Sequence, residues 1–126
     1  MEDQLIIYGE FSLKSGYQMT QNLLAMSARP TALFAGNNFI AIGALKALHD
    51  AGVAVPEEMS VVGFDDLPAA IVVDPFLTVA VQPAYEMGNL ATRRLLERLD
   101  GQISDGIQEI VLPVSIIERR STKAIL

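Results

Sequence analysis

Polar and aromatic residues follow three apolar segments of the chain, each at the point where a short strand is predicted to end. These residues are Gly9-Glu10-Phe11-Ser12, Gly36-Asn37-Asn38 and Asp65-Asp66. In an open parallel sheet, small ligands bind in the crevice outside the carboxyl ends of the strands. An aromatic ring stacks on the C–H face of a sugar, whereas amide and carboxylate groups form hydrogen bonds with its hydroxyls. The three loops therefore favour a binding site for a polyol or a sugar.

Each of these residues also has a purely structural interpretation. Asn37 or Asn38 can cap the helix that follows, and Asp65 can begin a turn after its strand. Asp66 can cap a short helix, and Phe11 can pack on the edge of its own sheet. No single residue decides between the two interpretations. Their common placement after three successive strands is what favours a cleft lined by at least two of them.

Catalytic chemistry has little support in the sequence. There is no cysteine and a single histidine, His49, which excludes thiolate chemistry and a histidine metal cluster. His49 falls near the end of a predicted helix, where we expect it to be solvated. The pair Asp65-Asp66 suggests a receiver-like or small Rossmann enzyme domain, but no lysine occurs between Lys46 and Lys123. Phosphate-loop and Gly-x-Ser-x-Gly motifs are also missing. We expect no enzyme, no metal and no cofactor.

Length and charge narrow the class of protein further. The 126 residues, 51% hydrophobic and 19% charged, suffice for one domain with one core. A net charge of -6 opposes a surface that must neutralise many phosphates, so the chain alone is not expected to bind nucleic acid. No run of about 18 apolar residues occurs, and the start Met1-Glu2-Asp3 is acidic. We therefore expect no membrane span and no secretory signal, and a cytoplasmic location.

Short apolar runs alternate with helical patterns, and this alternation predicts the fold class. Helices are predicted over 15–26, from Asn37-Asn38 to Gly52, and over 84–99 up to Gly101. Strands are predicted at 4–8, 31–35, 59–64 and 77–82, with a β-rich segment at 107–118 that contains Pro113. The run 31–35 is apolar throughout, as in a parallel strand covered on both faces. Strands joined by helical crossovers favour an α/β fold, a Rossmann-like parallel sheet flanked by helices.

Six segments, taken in their order and spacing, resemble the effector-binding region of LacI/GalR-family bacterial transcriptional regulators. They are Arg29-Pro30-Thr31-Ala32-Leu33-Phe34-Ala35-Gly36-Asn37-Asn38, Ala41-Ile42-Gly43-Ala44-Leu45, Val55-Pro56-Glu57, Ser60-Val61-Val62-Gly63-Phe64-Asp65-Asp66, Asp74-Pro75-Phe76-Leu77-Thr78 and Gln82-Pro83. The resemblance runs from about Gly9 to Arg119-Arg120-Ser121-Thr122, which is nearly the whole chain. No single tripeptide is diagnostic, but the ordered set is highly specific.

The resemblance implies the C-terminal lobe of a periplasmic-binding-protein-like (type I) fold, in which two lobes are hinged around a small effector. The effector of such proteins is usually a sugar or a nucleoside-type metabolite. By position, Phe11 is expected to stack on the effector and Asn37 to contact it through its amide. Asp65 is expected to bind hydroxyl or ring-nitrogen groups, and Gln82, at the crossover, to make a weaker contact.

Two positions depart from the family pattern. Asn38 stands where the family usually has aspartate, and Val79-Ala80-Val81 replaces a more polar crossover. These departures leave the chemical class of the ligand open. Asp66 is assigned to the loop and not to the ligand.

The resemblance also predicts a fragment of a larger regulator. Residues 1–82 and 107–122 correspond to the C-terminal lobe, and the helix over 84–100 to the N-terminal lobe. We expect the rest of that lobe, the hinge helix and the helix-turn-helix headpiece to be absent, so that operator DNA is bound only through the absent headpiece. The apolar face of helix 84–100 should then pack non-natively, be mobile or be covered by another copy.

A homodimer is implied by the same resemblance, because the family pairs C-terminal lobes through the first helix and the segment after the third strand. The interface residues expected here are Tyr17, Gln21, Leu24, Ile42, Ala70, Ile71 and Val73. An isologous interface would explain the apolar run 69–73, for which the alternative is a buried core segment. We therefore predict an effector-sensing, dimerising domain of a bacterial repressor. The alternatives are a periplasmic sugar-binding protein of the same fold and, less favoured, a receiver-like or Rossmann enzyme domain.

Overall fold

The computed structural model describes residues 5–67, 74–101 and 106–124. The chain forms two compact units. The first, called the sheet unit below, contains the residues up to Val81 and those from Ile116 onward. The second, called the helix unit, contains Gln82–Ser115.

Two helices form one layer of the sheet unit. Helix α1 spans Leu13–Leu24 and begins two residues before the predicted start, because the side chain of Ser12 caps it by accepting from Ser15 N. Helix α2 spans Asn38–Asp50, with Asn37 as its N-cap. Gly52, at φ 70°, provides the left-handed residue that ends it.

The two helices pack with their backbones in direct contact. A Cβ atom on Gly16 of α1 would collide with the backbone of Ile40, and one on Gly43 of α2 would collide with the carbonyl of Leu13. Glycine is therefore required at both positions for this close crossing. The first turn of α2, which follows a predicted ligand loop, is held in place by this contact.

Four strands form the sheet. Strand β1 spans Ala32–Ala35, β2 spans Ser60–Phe64, β3 spans Thr78–Val81 and β4 spans Ser115–Ile117, in the order β1-β2-β3-β4. The pairs β1/β2 and β2/β3 are parallel, with Ala35 opposite Gly63 and Phe64 opposite Ala80. The predicted parallel α/β sheet with flanking helices is thus confirmed.

The hydrophobic core lies between the sheet and helix α2. Its buried members are Ala35, Ala41, Leu48, Val53, Met59, Val61, Leu77 and Val79. Alternate residues of β2, Val61 and Gly63, are buried, while their neighbours are partly exposed. The buried face of the strands fixes the direction in which the loops after them leave the sheet.

Three predictions about the strands were wrong in detail. Residues 6–10 have no regular secondary structure; instead of pairing as a strand, Leu5, Ile7 and Tyr8 line a cavity beside α1 and β1. Strand β1 is therefore an edge of the described sheet, and Phe34 is 64% exposed and not covered. Of the predicted β-rich segment 107–118, only Ser115–Ile117 is a strand, beyond Pro113, which cannot donate to a ladder.

The helix unit contains helix α3, Ala84–Leu99, with the predicted bounds. Pro83 precedes it and Gly101, at φ 69°, follows it. No residue of α3 is buried, and the apolar residues Met87, Leu95 and Leu99 are 44, 57 and 75% exposed. Arg98 donates to the carbonyl of Gly106, which ties Gly106 to the last turn of the helix. Among the described helices none has the length and the hydropathy to cross a membrane.

Candidate functional site

The loop after β1 carries Asn37, whose carboxamide caps α2. Its Oδ1 accepts from the backbone N–H of Ile40 at 2.8 Å, so the structural role that the sequence suggested for this residue is present. The cap uses the Oδ1 atom of the carboxamide. This bond fixes the orientation of the side chain and therefore of its Nδ2 donor group. Asn37 is half-buried at the carboxyl end of β1, the edge at which parallel sheets bind ligands.

The loop after β2 begins with Asp65 in a left-handed conformation, at φ 66°. Aspartate tolerates this region better than most residues with a side chain. The backbone N–H of Asp65 donates to the carbonyl of Ala80 at 2.9 Å, which ties the start of this loop to the neighbouring strand β3. Asp65 is half-buried at the carboxyl end of β2, and this backbone hydrogen bond fixes its position there.

The next residue, Asp66, has a structural role. Its carboxylate accepts two hydrogen bonds from Arg119, at 2.7 and 2.6 Å, and one from the N–H of Leu67 at 2.8 Å. The hydrogen bonds from Arg119 hold the pKa of the Asp66 carboxyl below its ordinary value. Asp66 in turn raises the pKa of Arg119. An ionised, fully engaged carboxylate of this kind agrees with the assignment of Asp66 to the loop.

The loops after β1 and β2 are joined by a hydrogen bond. Asn38 Nδ2 donates to the carbonyl of Asp66 at 3.3 Å. Because Asn38 follows Asn37 and Asp66 follows Asp65, this bond brings the loops of two predicted ligand residues together. The structure thus places Asn37 and Asp65 on connected loops at one edge of the sheet.

Phe11 lies just before α1 and is 75% exposed. It shares a cavity of about 260 Å³ with Gly36, the residue before Asn37, and with Ile40, two residues after Asn38. Gln82 is the first residue of the helix unit and directly follows β3. It is half-buried.

The single histidine lies apart from this edge of the sheet. His49 is exposed in the last turn of α2, which confirms the solvated position predicted for it. Within residues 5–67, 74–101 and 106–124, no three His, Asp or Glu side chains come together as metal ligands.

Three of the residues expected in a dimer interface line one surface groove of the sheet unit. Tyr17 and Gln21 of α1 and Ile42 of α2 share this groove with Lys46 and Asp50. The Tyr17 hydroxyl donates to Asp50 Oδ2 at 3.1 Å, and Lys46 Nζ bonds to the same oxygen at 2.8 Å. We call this surface the α1/α2 groove. Leu24 is half-buried and packs against the hydrophobic core, and Ala70, Ile71 and Val73 lie outside the described residues.

Sequence reasoning missed the contribution of Arg119. This residue belongs to a short closing segment of the chain, and its partner Asp66 is 53 residues away. No local pattern signals an ion pair across such a separation.

The chain is similar to known proteins over most of its length. The chain matches the family of periplasmic binding protein-like domains over residues 4–122. It is 36% identical to the HTH-type transcriptional repressor PurR of Erwinia tasmaniensis over 96% of its own length, and spans 35% of the length of that repressor.

Two solved structures are similar over most of the chain. A complex of the transcriptional regulator CelR with cellobiose has a TM-score of 0.87 at 31% identity, over 96% of this chain and 37% of that one. A LacI family transcriptional regulator from Enterococcus faecium with bound ribose has a TM-score of 0.76 at 35% identity, over 90% of this chain and 41% of that one. The chain therefore belongs to the family of periplasmic binding protein-like domains, in the form of the effector-binding region of LacI-type transcriptional regulators.

Proposed function

We propose that this chain is the ligand-sensing and dimerising region of a bacterial LacI-type transcriptional repressor that responds to a small metabolite, a sugar before other classes. The observation that carries the proposal is the connection of the Asn37 and Asp65 loops at the carboxyl edge of a parallel sheet. Ligands of open α/β sheets bind at this edge.

The side chains at this edge suit a polyhydroxylated ligand. The Asp65 carboxylate would accept from hydroxyl or ring-nitrogen donors, and the Asn37 amide would donate to a ring or hydroxyl oxygen. Phe11 is exposed enough to stack on the apolar face of a sugar ring, and Gln82 would make a weaker contact. The bound cellobiose and ribose of the two similar regulators support a sugar as the first class to test.

A ligand controls such a protein by a population shift. It must bind one arrangement of the two lobes better than the other, and the difference in binding free energy sets how far the equilibrium moves. The chain spans about a third of the length of the curated relatives it matches. Operator binding is therefore proposed for other parts of the protein, since the net charge of -6 opposes DNA binding by this chain. Such a repressor would act in the cytoplasm.

A second copy of the chain is the proposed partner of the α1/α2 groove. Tyr17 and Ile42 offer apolar surface there, and Lys46 and Asp50 offer charges of both signs. An isologous interface places the same patch of both copies in contact, so opposite charges within one patch can pair across the twofold axis. Helices α1 and α2 are locked together at Gly16 and Gly43 and give this patch a rigid base.

The proposal is tested by titrating the intact gene product with a panel of monosaccharides, disaccharides and nucleobases. Calorimetry measures binding, and fluorescence anisotropy with operator DNA measures the response of the repressor. We expect one metabolite class to bind at micromolar concentration and to change operator affinity by ten-fold or more, as a coupling of about 1.4 kcal/mol requires. A gene product that binds none of the panel, or binds without any change in operator affinity, contradicts the proposal.

A further inference from the structure

The loops after β1 and β2 belong to one chain of hydrogen bonds that runs through Asp66. Asn38 Nδ2 donates to the backbone carbonyl of Asp66 at 3.3 Å. Arg119 donates to the carboxylate of Asp66 at 2.7 and 2.6 Å and to the carbonyl of Leu77 at 2.9 Å. Asp66 is therefore bonded both to the first turn of α2 and, through Arg119, to the residue before β3.

Arg119 is itself fixed to the sheet. Its backbone N–H donates to Thr78 Oγ1 at 2.9 Å. Two residues later, the buried hydroxyl of Ser121 donates to the carbonyl of Val61 at 2.6 Å and accepts from the N–H of Thr78 at 2.7 Å. The side chain of Arg119 is 15% exposed. A guanidinium held in this way can serve as an anchor, because its backbone cannot follow a loop that moves.

We propose that Asn38 and Arg119 are positioning residues of the effector site, and that they hold the Asn37 loop and the Asp65 loop as one preformed platform. This inference rests on the proposed ligand-sensing function. Each ligand residue is followed in the chain by a member of this hydrogen-bonded chain: Asn38 follows Asn37, and Asp66 follows Asp65. A platform that is ordered before binding loses less conformational entropy when the ligand arrives.

The link between the loops depends on the residue type at position 38, because its partner in Asp66 is a backbone carbonyl oxygen. Only a donor can bond to that oxygen, and the asparagine amide supplies one. An aspartate of the same size has only acceptors at neutral pH. The substitution Asn38→Asp therefore replaces the link between the loops with a repulsion and leaves the shape of the side chain unchanged.

Backbone amide exchange of the full chain, measured residue by residue by NMR, tests the platform without a ligand. The variant Arg119→Lys keeps the charge but loses the two-pronged bond to Asp66. We expect the amides of Leu67 and Ile40 both to exchange about five-fold faster, as the loss of one hydrogen bond implies. Ile40 reports on the Asn37 cap, which Arg119 does not touch. The control Arg120→Lys alters the neighbouring arginine, whose partner is the exposed Asp74, and should change neither amide.

The link itself is tested by Asn38→Asp, with Asn22→Asp on the exposed face of α1 as the matched control. We expect Asn38→Asp to accelerate exchange at Leu67 and Ile40, and to abolish the effect of Arg119→Lys on Ile40 in the double variant. If Arg119→Lys accelerates Leu67 and leaves Ile40 unchanged, the loops are not coupled and the platform is refuted. Should Asn38→Asp fail to fold, Asn38→Ala removes the donor without adding a charge and is judged by the same criterion.

A binding measurement separates this inference from the proposed function. With the metabolite found in the panel as the probe, the intact protein carrying Asn38→Asp should bind at least five-fold more weakly. The same substitution at Asn22 should leave the affinity unchanged. Equal affinities of Asn38→Asp and the parent protein refute the platform and leave the ligand-sensing function standing. Coupled loops in a protein that binds no metabolite refute the ligand-sensing function.

Discussion

The guanidinium of Arg119 donates two hydrogen bonds to the carboxylate of Asp66, at 2.7 and 2.6 Å, across 53 residues of chain. The side chains are 15 and 30% exposed. The next residue, Arg120, pairs with Asp74, but those side chains are 63 and 76% exposed. Two adjacent arginines thus form one shielded and one solvated ion pair, and the difference in solvent screening predicts different contributions to stability.

Replacement of Arg119 by alanine should lower the free energy of unfolding by about 1–2 kcal/mol, because it leaves the partly buried Asp66 carboxylate without its partner. Arg120→Ala should cost less than about 0.5 kcal/mol, as expected for an exposed pair. Urea denaturation followed by circular dichroism measures both values. Equal losses for the two variants would show that the burial of the Asp66 pair adds nothing.

The same ion pair predicts a dependence of stability on pH. Folding lowers the pKa of Asp66 from its ordinary value of 3.8, so its contribution is present above that value and is lost as the pH falls through the lower pKa of the folded state. The difference in melting temperature between the parent chain and Asp66→Asn should therefore be largest near neutral pH and shrink below about pH 4.

The control for this titration is Asp74→Asn, which alters the exposed pair of Arg120. Its melting temperature should stay close to that of the parent chain over the whole pH range. A difference for Asp66→Asn that is constant down to pH 2 would contradict an ionised Asp66 in the folded state.

Replacement of Ser121 should destabilise the protein more than the small size of its side chain suggests. It is fully buried, and its hydroxyl bonds to the carbonyl of Val61 and to the N–H of Thr78. Ser121→Ala leaves both backbone groups without that partner, which should cost about 2–3 kcal/mol of unfolding free energy. The control Ser27→Ala alters an exposed serine and should lower the unfolding free energy by less than about 0.5 kcal/mol. Chemical denaturation that finds the two variants equally stable would exclude this role of the hydroxyl.

Local signals in the sequence were enough to predict most of the elements. Helix α3 has the predicted bounds because Pro83 and Gly101 mark its two ends. Helix α1 begins two residues before its predicted start because the side chain of Ser12 caps it. The run 4–8 has strand-like residues, but a strand also needs a neighbour with which to pair, and Leu5, Ile7 and Tyr8 line a cavity instead.

The candidate site was predictable only in part, because contacts between residues far apart in the chain fix its loops. Asn37 and Asp65 follow strands that pair in parallel, and topology alone brings such residues to one edge of a sheet. The bonds that fix their loops come from Asn38 and Arg119. These contacts join residues 28 and 53 positions apart, and no periodicity or local motif encodes them.

Substitution of Asp65 should weaken metabolite binding without unfolding the protein. Asparagine tolerates the left-handed backbone at this position, φ 66°, and it removes the charge and replaces one acceptor oxygen with a donor nitrogen. Loss of a charged hydrogen bond should cost about 2 kcal/mol, or about thirty-fold in affinity. Calorimetry of the intact protein with the metabolite from the panel measures it, and Asp74→Asn provides the control. An unchanged affinity of Asp65→Asn would remove Asp65 from the binding site.

Introduction of a charge into the α1/α2 groove should separate the proposed dimer. Ile42 is half-buried beside Gly43, at the point where the two helices cross most closely. An aspartate at this position would face its own copy across a twofold axis, where like charges repel and an apolar contact is lost. Light scattering after size-exclusion chromatography should find twice the mass of one chain for the parent and a single chain for Ile42→Asp. The control Ile107→Asp makes the same change at a fully exposed position of the helix unit and should leave the dimer intact. If Ile107→Asp alone gives a monomer, the contact between copies lies on the helix unit and not on the α1/α2 groove.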